Sequence, residues 1–132
     1  MESLSLFVPL LPGAALSPNA GRGSSWHRNA AATTELRDAV TVLARSAWSG
    51  PPLEHAVVSV TARIASKRPK DGRYRPTDVT NMLASCKPAV DGLVVAGVLI
   101  DDDWQHMALG ACRIERVSTV GDEGLAITVS TH

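Results

Sequence analysis

Cysteine is scarce in this chain: two residues in 132, Cys86 and Cys112, with no C-x-x-C pair and no histidine at metal-ligand spacing. That excludes a disulfide scaffold, and two reduced thiols fit a cytoplasmic protein. Excess charge is absent too. Thirteen basic side chains balance thirteen acidic ones. Overall charge therefore advertises no nucleic-acid binding, and any such case rests on local clustering. No apolar run reaches the length of a membrane span, so no membrane partner is expected. The opening MESLSLFVPLLPGAALS lacks a basic first region, carries Glu2 and is broken by Pro9 and Pro12, so it reads as a strand and a loop rather than a signal peptide. There is no repeat or low-complexity segment.

What is present is enough for one domain over residues 1–132, with 45% hydrophobic residues to supply a core. Leu4 to Pro9 reads as a short strand, and residues 10 to 25 as a long irregular loop. From Trp26 to Trp48 a helix is expected, since Leu36, Ala39, Val40, Leu43 and Ala47 recur at helical spacing. Ala56 to Ala65 alternates with period two, Val58, Val60, Ala62 and Ile64 on one face and Ser59, Thr61 and Arg63 on the other. Residues 67 to 77 form a turn or loop, and a second helix lies between Asn81 and Ala96. Pro88 leaves two versions of that helix. Either it starts with Ser85 as cap and Pro88 in its first turn, or it starts at Asn81 and kinks. Gly97 ends it, and strands follow over His106–Val117 and Leu125–Ser130 around a turn at residues 121 to 124. The order suggests an α+β domain: a mixed, mostly antiparallel sheet with two main helices.

The chemistry concentrates between Thr77 and Asp103. Asp78 stands at the mouth of the second helix, and Asp101, Asp102 and Asp103 lie past its end. Hard carboxylate oxygens suit Mg²⁺ or Mn²⁺, although a helix cap and a solvated turn would need the same residues. Lys87 and Asp91 are four apart and share a helix face, either as a plain ion pair or with the ammonium directed at a phosphate. Upstream, Lys67, Arg68, Lys70, Arg73 and Arg75 crowd into nine residues around Tyr74, with only Asp71 opposing them. Such a segment serves as a phosphate-binding loop or as a soluble hairpin tip. Arg22, Arg28, Asn19 and His27 near the first helix could contact phosphates or simply face water, with Trp26 packed beneath that helix. His106 reads as a surface histidine, and Trp48 and Trp104 as core or interface residues.

Taken together, these segments resemble the RusA family of Holliday junction resolvases, especially its phage and actinobacterial members. The resemblance rests on LSPNAGRGSSWHR, on VVSVTARIA with the basic turn, and above all on DVTN followed by KPAVDGLVVAGVLIDDD. It implies a homodimer that nicks four-way DNA junctions with Mg²⁺ in recombination, repair or phage DNA processing, in the cytoplasm of a bacterial host. Residue by residue, Asp78 and Asn81 match the first motif. Lys87 and Asp91 match the lysine and the helical aspartate, Asp102 the catalytic member of the final pair, and Asp101 its neighbour. The implied catalytic set is Asp78, Asp91, Asp102 and Lys87, with the three aspartates as metal ligands and Thr80, Asn81, Asp101 and Asp103 in support. Arg22, Arg28, Lys67, Arg68, Lys70, Arg73 and Arg75 would contact DNA. Two departures matter: Thr80 stands where the family pattern has a second aspartate, and the stretch between Asn81 and Lys87 is longer than in the family's enterobacterial type. Asp91 or Asp103 would then supply the missing charge, or the protein binds branched DNA and cuts it poorly. A third alternative is an unrelated α+β interaction domain whose acids are caps and turns.

Overall fold

The computed structural model describes residues 3–13, 16, 26–65 and 74–131, with residues 26–29 described by backbone alone. Along the chain come β1 (Ser3–Val8), α1 (Trp26–Ala47), β2 (Ala56–Ala65), α2 (Val79–Ser85), α3 (Lys87–Val95), β3 (Met107–Val117) and β4 (Gly124–Thr131). One four-stranded sheet has the order β1-β4-β2-β3. β4 runs antiparallel to both β1 and β2, and β3 runs parallel to β2. The chain is therefore α+β with a mixed, mostly antiparallel sheet, and the parallel pair needs the α2–α3 crossover to return the chain to the start of β3.

Alternation determines what the sheet buries. Leu4, Leu6 and Val8 of β1, Val58, Val60 and Ala62 of β2, and Leu125, Ile127 and Val129 of β4 are all buried. α1 and α3 supply the other half of this core through Leu36, Val40, Ala44, Ala89 and Leu93. The α1 stripe differs from the expected one. Ala44 is buried and Ala47 is exposed, because residues 36, 40 and 44 hold one line along the helix. Ile64 also leaves the buried row, and Ala65 joins it.

The second helical segment is two helices, neither of the versions expected. α2 stops at Ser85, and α3 begins at Lys87 with Pro88 in its first turn. Pro88 has no amide hydrogen and its ring would strike the carbonyl of Ala84, so one regular helix cannot run through it. Cys86 rather than Ser85 is the cap, while the Ser85 hydroxyl donates back to the Asn81 carbonyl at 2.7 Å. At the other end Gly97 takes φ +82°. Its N–H reaches the Val94 carbonyl at 3.0 Å and that of Val98 reaches Leu93 at 3.0 Å. This double bond pattern closes the helix and needs a left-handed residue at its turn. α3 lies close on α1 because residue 92 is glycine: a Cβ there would sit 2.7 Å from the Arg37 carbonyl oxygen.

Arg75, the last cation of the basic segment, is held in a buried ion pair. Arg75 binds Glu123 through both ends of its guanidinium, Nη2 to Oε1 at 2.8 Å and Nε to Oε2 at 2.5 Å. The same Oε2 accepts the Ala65 N–H at 2.8 Å. Both residues are more than nine-tenths buried. This corrects the expectation that Arg75 contacts DNA, since its charge is committed inside the protein. Removing one partner from a buried pair strands the other. Glu123→Gln should therefore lower the unfolding free energy by about 3 kcal/mol or more. An unchanged midpoint in urea unfolding would show that the pair carries no such weight.

Candidate functional site

Three side chains from separate positions meet at the first turn of α3. Lys87 is its first residue, and Asp91 follows one turn later on the same face. The Lys87 Nζ lies 2.5 Å from Asp91 Oδ1 and 2.5 Å from Asp102 Oδ2. Asp102 arrives from the far end of the helix. The turn at Gly97 reverses the chain, and a short parallel bridge then pins Leu99 against Leu53. The Leu53 N–H bonds the Val98 carbonyl at 2.8 Å, so the following aspartates leave a fixed point. The Asp101 carboxylate accepts the N–H of Asp102 at 2.8 Å and holds the turn.

Electrostatics follow from this geometry. Lys87 holds the Asp102 carboxyl below its ordinary value, and the two carboxylates, Asp102 foremost, raise the Lys87 ammonium above its own. Lys87 is therefore a fixed cation here and no proton acceptor. Its side chain is 61% exposed, so solvent screens both contacts.

Asp78 has different partners. It is the N-cap of α2, where its Oδ1 accepts the Thr80 N–H at 2.9 Å and the Thr80 hydroxyl at 2.8 Å. The Asn81 amide nitrogens of backbone and side chain approach it at 3.4 Å each. Donation from the Thr80 hydroxyl, then from the two backbone amides, lowers its pKa. Among the described residues no hydrogen bond or ion pair joins Asp78 to Asp91 or Asp102. Nor does any group of three or more histidines, cysteines, aspartates or glutamates among them have the arrangement of a metal site. The donors that fit a hard divalent cation best are Asp91 and Asp102, two carboxylates already sharing one positive charge.

Asp103 is occupied by its own turn. Its Oδ1 accepts the N–H of Gln105 and of His106 at 3.1 Å each, and it meets His106 Nδ1 at 2.6 Å. The His106 contact foremost lowers its pKa. His106 stacks on His55 with ring centroids 6.5 Å apart. Trp104 is not a core residue: it is 87% exposed, standing beside Asp102. Trp48 packs on the edge of the core and donates its indole N–H to the Pro51 carbonyl at 3.3 Å. Buried Cys86 is pushed up to about 12 by burial foremost and by Cys112, which leaves it an inert thiol. Lys67, Arg68, Lys70, Arg73 and Arg22, and the side chain of Arg28, lie outside the described residues.

Sequence reasoning did not single out Leu53, whose bridge to Leu99 aims the aspartate run. Its only signal was an apolar residue after Pro51-Pro52. No protein-family model matches the chain, and no curated protein matches it significantly.

The Lys87–Asp102 contact has a defined pH window. Its aspartate has a depressed folded pKa, so the stabilisation is present above the ordinary 3.8 and lost as pH falls through the folded value. Its lysine has a raised one, so the stabilisation is present below the ordinary 10.5 and lost as pH rises through the folded value. A double-mutant cycle with Lys87→Met and Asp102→Asn should give a coupling of at most about 1 kcal/mol at neutral pH. That coupling should be lost as pH falls below the ordinary carboxylate range and through the lowered Asp102 value. A coupling that persists in acid would show that the two side chains interact by packing instead.

Proposed function

We propose that this chain is a metal-dependent, structure-selective endodeoxyribonuclease of the RusA type, acting on four-way DNA junctions as a homodimer. The single observation that carries the reading is the Lys87 ammonium held between Asp91 and Asp102. The fold gathers one lysine and two of the three acids that the resemblance assigns to catalysis. Side chains that form only caps and turns need no such convergence across the length of α3.

In this reading Asp91 and Asp102 hold Mg²⁺ or Mn²⁺, with Asp78 as the third carboxylate that the resemblance supplies. When bound, the ion supplies Lewis acidity for hydrolysis of the phosphodiester. Lys87 stays protonated and places its charge where negative charge develops on the phosphoryl oxygens. Asn81 and Thr80 orient Asp78 through the N-cap. Asp101 holds Asp102 by fixing the turn. The basic segment of Lys67, Arg68, Lys70 and Arg73, with Arg22 and Arg28, tracks the DNA backbone. A two-fold dimer presents two such sites to two opposed strands, which yields paired nicks.

One observation favours a second reading, a branched-DNA-binding protein that cuts weakly or not at all. The residue in the position of the missing aspartate, Thr80, donates its hydroxyl to Asp78 at 2.8 Å. That contact occupies an oxygen a metal would take.

A synthetic four-way junction incubated with Mg²⁺, with EDTA, and with Asp102→Asn tests both. Mg²⁺-dependent paired nicks are expected, reduced about a hundredfold or more in the variant. Salt-sensitive binding with no nicks in Mg²⁺ or Mn²⁺ would reject the nuclease and leave the binding protein. Failure to bind branched DNA at low salt would reject both.

A further inference from the structure

β2 begins at Ala56 and β3 at Met107, and these two residues are register partners in the parallel pair. The residues just before them, His55 and His106, are therefore set side by side. The Ala56 N–H fixes the match by donating to the His106 carbonyl at 2.9 Å. Spacing along the sequence hides this pair, and the sheet creates it.

Each ring is held by its Nδ1. His55 Nδ1 lies 3.0 Å from the Gln105 carbonyl oxygen, and His106 Nδ1 lies 2.6 Å from Asp103 Oδ1. Asp103 is ionised, since His106 foremost lowers its pKa. A carbonyl and an ionised carboxylate only accept, so both Nδ1 atoms carry the hydrogen. The lone pair of each neutral imidazole is thereby left on Nε2. Among the described residues neither Nε2 has a hydrogen-bond or ion-pair partner.

This is the state in which histidine binds a metal. A carbonyl or carboxylate on the second nitrogen fixes the tautomer and raises the basicity of the ligand. Two imidazoles bound to one ion through nitrogen at ~2.0–2.1 Å have ring centroids ~5–6.5 Å apart. His55 and His106 stand at the upper end of that range, 6.5 Å, with their planes 15° apart. His55 is exposed, so its ring is free to close the remaining distance onto the partly buried His106. Imidazole nitrogen suits Zn²⁺, Ni²⁺ or Cu²⁺, whereas Mg²⁺ takes carboxylate oxygens.

We infer that His55 and His106 form a two-nitrogen site for a transition-metal ion, Zn²⁺ foremost, with the Gln105 carbonyl and Asp103 orienting the two ligands. Water completes the coordination. A bound ion joins the entry of β2 to the turn from Asp103 to His106, directly after Asp102. The site is separate from the Lys87 cluster and stands whether or not the chain cuts DNA.

The test titrates Zn²⁺ into the full chain in excess Mg²⁺ at about pH 7.5, above the ordinary histidine value, and follows the histidine side chains by ¹⁵N NMR. The Nε2 resonances of His55 and His106 should move together on one saturation curve, with half-saturation below about 100 µM. Asp103→Asn should weaken binding about tenfold or more. His55→Ala, at an exposed position, should abolish the Zn²⁺ response of His106, with urea unfolding in EDTA checking that the fold is kept. Lowering the pH to about 5 should release the ion as protons take both Nε2 atoms. The wild-type titration alone overturns the inference if only one Nε2 moves, if the two follow different curves, or if half-saturation needs more than about 1 mM Zn²⁺. An unchanged His106 response in His55→Ala overturns it as well.

Discussion

The ring of Pro88 cannot donate a backbone hydrogen bond and would collide with the Ala84 carbonyl, so the helix that begins at Val79 must stop. The site is a consequence of that stop. A new helix starting at Lys87 directs Lys87 and Asp91 from its first turn, and its axis is free to differ from that of α2. The new helix lies close on α1 only because Gly92 has no side chain to meet the Arg37 carbonyl. It ends only where Gly97 accepts a left-handed turn. Between these fixed ends the helix is nine residues long. That length, with the bridge of Leu99 to Leu53, returns Asp102 to the lysine at the helix start.

A second constraint acts at the other end of the sheet. Glu123 binds the Ala65 N–H at the end of β2 and the Arg75 guanidinium, and so ties together the two ends of the basic segment. A buried pair of this kind is weak evidence for net stability, because desolvation offsets much of the attraction. Its value here is geometric. The chain leaves the sheet at Ala65 and re-enters the described fold near Arg75 at one fixed place, ahead of α2 and its cap at Asp78. The ion pair therefore holds the end of β2 and the approach to α2 at one place.

Much of this was legible in the sequence, for physical reasons that differ by element. β2 was read to its end residues because Val-x-Val-x-Ala alternation has one explanation in a half-buried strand. α1 was legible as a helix, but its buried stripe was misread between Ala44 and Ala47, since alanine is tolerated on either face. Pro88 announced a break without fixing its place, because the choice among Ser85, Cys86 and Asn81 as boundary depends on packing against α1. Lys87 with Asp91 followed from helical spacing alone. The approach of Asp102 did not, because it depends on the turn at Gly97 and on Leu53, which lies 46 residues before Leu99. Arg75 was misassigned because sequence shows a cation among cations and not the glutamate 48 positions later that buries it.

Thr80 decides how far the site can be charged. A carboxylate in its place would stand beside Asp78 with no proton to share, and two such groups repel unless a cation lies between them. Threonine removes that repulsion and replaces it with a donated hydrogen bond, which stabilises Asp78 as an ionised cap without any metal. Asp78 at the start of α2 is thus satisfied by the protein alone, whereas the acids around Lys87 share a single cation. Asp91 and Asp102 share one ammonium, and Asp101 stands next to them, so that end of the site keeps a net negative charge. The unbalanced negative charge of the site therefore lies at the junction of α3 with the aspartate run and not at the cap of α2.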